Sequence, residues 1–103
     1  MDETKSRVAI RNPSNRPLLI IFEPWADEYT LRPGAFYTFE AISPLPGWLC
    51  VEYSGDYVIV TAWDSSVGRV YDETGRLIDS LDTRVPDFTT PAVHEGKDPD
   101  AAV

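Results

Sequence analysis

Apolar residues fall into short runs along this chain, separated by clusters of proline, glycine, asparagine, aspartate and serine. Tyr57-Val58-Ile59-Val60-Thr61-Ala62-Trp63 has no charge, glycine or proline and is rich in β-branched and aromatic side chains. Such a run predicts a central strand covered on both faces. Leu18–Phe22 predicts a second strand of this kind, ended after Glu23 by Pro24, which has no N–H to give to a ladder.

Around these two, the pattern predicts six more strands. Val8–Ile10 is the first. Asp27–Leu31 alternates, with Tyr29 and Leu31 on one face. Ala35–Ile42 places Tyr37, Phe39 and Ala41 on a buried face and Thr38 and Glu40 on a wetter one. Trp48–Tyr53, Val67–Asp72 and Arg76–Leu81 complete the set. The last two are weakly apolar and predict a sheet edge guarded by Arg69, Asp72, Arg76 and Asp79.

The connections carry turn chemistry. Arg32-Pro33-Gly34-Ala35 fits a type II turn, with proline setting φ at the second position and glycine taking positive φ at the third. Ser54-Gly55-Asp56 predicts a three-residue hairpin connection. No 3.6-residue apolar period long enough for a helix occurs. The expectation is an all-β domain of seven or eight strands over residues 7–84, an antiparallel sandwich (Ig-like or jelly-roll-like) or a compact barrel. Residues 1–6 are expected to be loose. Residues 85–103, with Pro86, Pro91, Pro99 and several carboxylates, are expected to form a flexible tail, with Val85 and Phe88 able to tack its start to the body.

Val70-Tyr71-Asp72-Glu73-Thr74-Gly75-Arg76-Leu77 resembles the Tyr-Asp-x-x-Gly-Arg-Leu unit of YD-repeat proteins. It occurs once here, and those proteins are arrays. The resemblance implies shared hairpin chemistry and no function.

At 103 residues the chain fits one domain, large enough to fold without disulfides. The net charge is −8, and it is uneven. Residues 27–64 carry one cation, Arg32, against Asp27, Glu28, Glu40, Glu52, Asp56 and Asp64. A field of this sign repels phosphate backbones and anionic lipid, so neither nucleic acid nor a membrane surface is an expected partner. It favours a basic protein.

The chemistry available is sparse. One histidine, His94, and one cysteine, Cys50, exclude the ligand sets of copper and structural zinc sites. Cys50, between Leu49 and Val51, is expected to be a buried, inert thiol. No nucleophile-elbow or phosphate-loop motif occurs, so neither an enzyme nor a cofactor is expected. Acidic loops leave calcium as a minor alternative. The single cysteine, the absence of an apolar signal segment and the shortness of the longest apolar run, Leu18–Phe22, predict a cytoplasmic protein.

Trp25 and Trp48 each follow a strand breaker, Pro24 and Gly47, and so are expected at strand ends; Trp63 is expected in the core. Aromatics at a rim either cap the core or stack on a ligand. Trp25, Asp27, Glu28, Trp48, Asp56 and Asp64 are therefore the candidate binding residues. The leading expectation is a small acidic non-catalytic module that contacts a protein partner through its acidic surface. The alternatives are an inhibitor or immunity-type protein blocking a basic enzyme, and a carbohydrate-binding module using Trp25 and Trp48.

Overall fold

The computed structural model describes residues 2–85, which form eight strands and no helix. The strands are β1 (Thr4–Arg11), β2 (Leu18–Glu23), β3 (Asp27–Leu31), β4 (Phe36–Ser43), β5 (Cys50–Ser54), β6 (Tyr57–Thr61), β7 (Val67–Tyr71) and β8 (Leu77–Leu81). They make two four-stranded sheets, ordered β1-β4-β7-β8 and β3-β2-β6-β5. Two separate sheets decide for the sandwich over the barrel. Phe88, His94 and the remainder of the expected tail lie outside the described residues.

Every pairing is antiparallel except β2 with β6, which runs parallel from Leu19–Tyr57 to Glu23–Thr61. The chain leaves the second sheet to lay down β4 and returns through the β5–β6 hairpin. That path brings β6 in along the direction of β2.

The core forms where the two sheets interdigitate. Ile20, Phe22, Val58 and Val60 point inward from the second sheet, and Phe39, Ala41 and Val70 from the first. Phe22 and Phe39 are the largest fully buried side chains. Phe22 lies at the centre of an aromatic cluster. It meets Phe39 edge-on at 5.3 Å and Trp25 edge-on at 4.9 Å between ring centroids. Gly68 makes this possible, because a β-carbon there would lie 3.1–3.2 Å from the Trp25 and Phe22 rings.

Several sequence expectations change here. β2 and β6 are covered on their inner faces only; Leu19, Ile21, Tyr57 and Ile59 on the outer face are half-buried. Among the described residues the sandwich has two layers, and no third layer covers them. Glu40, expected on a wetter face, is 3% exposed. The Arg7 guanidinium pairs with it at 3.2 Å, and the Tyr71 hydroxyl donates to it at 3.0 Å. β7 is interior rather than an edge, since Gly68 and Val70 face the core and β8 takes the margin. Thr4–Ser6, expected to be loose, pair with Ala41–Ser43. Val85 belongs to the body: it is buried, and it exchanges backbone hydrogen bonds with Ser65 and Ser66.

Three turns show how polar residues set the frame. Gly34 has φ +82°, and the Ala35 amide donates to the Arg32 carbonyl at 3.1 Å, as a type II turn requires. The β7–β8 hairpin is tied by Asp72, whose Oδ1 accepts from the Thr74 amide and hydroxyl and the Arg76 amide. These donors hold its carboxyl below the usual carboxylate range. Asn12, only 1% exposed, organises the β1–β2 loop. Its side-chain amide donates to the Arg16 and Leu31 carbonyls, and its Oδ1 accepts from the Ser14 amide and hydroxyl.

At the far margin, the Tyr29 hydroxyl on β3 donates to Asp79 Oδ2 on β8 at 2.6 Å, closing one side of the sandwich. Burial, then the Asp79 carboxylate, holds the Tyr29 phenol well above its ordinary range. Burial, then Glu40, raises Tyr71 as well, with Arg7 and Arg69 pulling the other way.

Asn12→Ala leaves the buried Leu31 carbonyl without its side-chain donor and takes one of two side-chain donors from the Arg16 carbonyl. It should lower stability by about 2–3 kcal/mol, read as a lower urea midpoint. The phenols set a second expectation, since an unfolded tyrosine ionises near about pH 10. Above that pH the unfolded chain binds fewer protons than the folded one, so stability falls as pH rises. The urea midpoint should hold steady between about pH 6 and about pH 9 and decline above about pH 10, with a shallower decline in Tyr29→Phe.

Candidate binding surface

Charge is sorted between the two sheets. The strands of the first carry Lys5, Arg7, Arg11 and Arg69 against Glu40 and Asp79. The strands of the second carry Glu23, Asp27, Glu28 and Glu52 and no cation. Glu40 is the one mid-chain carboxylate on the first sheet, where Arg7 neutralises it. The other mid-chain carboxylates lie on the second sheet or on the loops at its ends.

Register fixes how the outer face of the second sheet is arranged. Ile21 of β2 stands beside Ile59 of β6, with Glu28 on the β3 side and Glu52 on the β5 side. One row along, Leu19 stands beside Tyr57, between Thr30 and Ser54. In the other direction Glu23 stands beside Thr61, with Cys50 beyond. The result is an apolar square of Leu19, Ile21, Tyr57 and Ile59 framed by Glu23, Glu28 and Glu52. Period-2 alternation within two strands assumed to be covered on both sides concealed this square from sequence reasoning. The parallel pairing of β2 with β6 assembles it.

The six candidate residues divide among three places. Trp25, Asp27, Trp48 and Asp64 lie at the end of the sandwich where β2 and β6 finish and β3 and β5 begin. Glu28 is on the acidic face just described. Asp56 is at the opposite end, in the Gly55-Asp56 turn, where it lines a polar hollow of about 500 Å³ with Ser14, Arg16, Pro17 and Leu18. That turn has two residues, one fewer than expected, with φ +68° at Gly55.

The two tryptophans do not form a common platform. Trp25 is turned between the sheets against Phe22, and its indole N–H donates to the Thr83 carbonyl at 2.7 Å. Trp63, at the same end, donates to the Leu45 carbonyl at 2.9 Å, and its ring lies against Gly47. Trp48 alone is open, 71% exposed. With Pro46, Gly47, Cys50 and Trp63 it lines an apolar hollow of about 350 Å³ at the start of β5.

Cys50, expected to be buried, is exposed: it lies on the outer face of the edge strand β5, every residue of which is exposed. Among the described residues no three histidine, cysteine or carboxylate groups come together as a metal site. Nor, among them, is there a helix long and apolar enough to cross a membrane. A scan against protein-family models, a search of curated proteins and a search of solved structures find no match to the chain.

The burial pattern makes a simple optical prediction. Acrylamide should quench one of the three tryptophans readily, and Trp48→Phe should remove that accessible fraction. A Stern–Volmer plot for Trp48→Phe as steep as that of the parent would contradict the placement.

Proposed function

We propose that the protein is a small, acidic, non-catalytic interaction module that binds a basic protein through the outer face of its second sheet. One observation carries the reading: the square of Leu19, Ile21, Tyr57 and Ile59 stands inside a frame of glutamates on a sheet whose strands hold no cation. An apolar patch with a charged rim is the usual form of a contact surface. The apolar centre supplies affinity once water is expelled. The carboxylate rim supplies steering and selects against acidic partners. Asp27 and Asp64 extend that negative field around one end of the sheet.

The four central side chains make a small patch, so binding should be moderate and strongly weakened by salt. A reducing, cytoplasmic setting belongs to the same proposal and rests on Cys50 being the only cysteine.

Glu23→Lys/Glu28→Lys tests the reading with little risk to the fold, since both side chains lie on the outer face of the sheet. The parent protein, immobilised at low salt, should retain a basic protein that elutes as salt rises. The double variant should retain at least about tenfold less of that same protein. Equal retention by the two would overturn the proposal.

A further inference from the structure

A second surface on the same sheet has a different geometry, and its case does not depend on the outer-face reading. Three of the four sheet margins carry devices that discourage pairing with another chain. β1 presents Lys5, Arg7 and Arg11. β3 presents Asp27 and Glu28 and runs into Pro33. β8 has a register irregularity against Val70 and Tyr71 and is tied down through Asp79. Cationic side chains, proline and irregularities are the usual protections of an edge strand.

β5 is guarded less. It is regular, it pairs with β6 alone among the described residues, and all five of its residues are exposed. Tyr53 is 80% exposed, and Val51 is exposed beside it. The hairpin closes on the Ser54–Tyr57 pair across a two-residue turn. The alternation of an antiparallel ladder then turns the backbone groups of Ser54, Glu52 and Cys50 toward β6. The N–H and C=O of Val51 and Tyr53 face outward, where a further strand would bond.

We infer that β5 receives an extended segment of a partner protein as a fifth strand of this sheet, and that the segment alternates apolar and basic side chains. Alternation follows from the pleat. Val51 and Tyr53 face one side of the added strand and call for apolar neighbours. Glu52 faces the other and calls for lysine or arginine. Glu52 forms no ion pair among the described residues. The hollow of Pro46, Trp48 and Trp63 gives the incoming strand an apolar seat at its end. A second copy of the chain fits poorly. Two β5 strands paired about their centre set Glu52 against Glu52, and each copy brings a net charge of −8.

The probe is a fluorescein-labelled seven-residue peptide alternating valine and lysine, with the same peptide N-methylated on alternate residues as its control. Fluorescence anisotropy with the full chain should show saturable binding by the first, and at least tenfold weaker binding by the second, which cannot complete the ladder. Val51→Pro deletes an outward N–H and leaves the bonds to β6 intact. It should abolish binding while circular dichroism stays unchanged. Glu52→Lys should weaken binding at least tenfold.

Equal binding of the two peptides would overturn the inference, and so would undiminished binding to Glu52→Lys. The peptide control decides the matter even if Val51→Pro fails to fold. A parent protein that sediments as a dimer and does not bind the peptide would overturn it in favour of self-pairing. Failure of the outer-face proposal would leave the peptide result unchanged, so the two readings fall separately.

Discussion

The sandwich is held at one point more than at any other: the seat of the Phe22 ring opposite Gly68. A strand interior gains little from glycine, which packs nothing and costs conformational entropy. Here the missing side chain is what lets Phe22 and Trp25 from the second sheet reach the backbone of the first. Phe39 closes the same cluster from the neighbouring strand, and Tyr29 meets Phe39 in turn at 5.6 Å. Rings at these edge-on angles gain from quadrupole alignment as well as from burial. Because interiors are close-packed, the spacing of the two sheets follows from how these rings stack. The half-buried outer faces follow from it too, since the aromatic bulk that β2 contributes is committed inward.

Much of the fold was legible because strands have a short period and turns have local chemistry. The Pro33-Gly34 turn, the Asp72–Gly75 hairpin tip and the strand that Pro24 ends are each set within a few residues. What sequence reasoning lost was long-range. Glu40 looked solvated because nothing near it in the chain marks Arg7 and Tyr71 as its partners. β7 looked like an edge because its glycine and arginine are weak strand formers on their own, and only the opposite sheet gives Gly68 its purpose. Asn12 read as one turn former among several, although its four hydrogen bonds fix the loop that starts β2.

The candidate surface was half legible. A count of charge along the chain located the acidity in residues 27–64, and the strand order puts Asp27, Glu28 and Glu52 on one sheet. Exposure was harder to read. Trp25 and Trp48 have similar settings in the sequence, each just after a breaker, yet one packs half-buried against the core and the other is open to water. The difference lies in what each ring meets: Gly68 leaves room for Trp25 beside Phe22, and the Trp48 side chain stays open at the start of the edge strand β5. Partition of charge between sheets gives the molecule an electric direction, basic on one broad side and acidic on the other, which no net-charge figure conveys.

The parallel partnership of β2 with β6 has a consequence for synthesis of the chain. Glu23 meets Thr61 in that ladder, so β2 waits for a neighbour encoded nearly forty positions downstream. At roughly 5–20 residues per second, the ribosome needs a few seconds to deliver it. During that interval Leu18–Phe22 has only the β3 hairpin for company, and its second backbone edge stands open. A nascent chain built this way is exposed to unwanted pairing through its most apolar segment, until the very strand that completes the acidic face arrives to shield it.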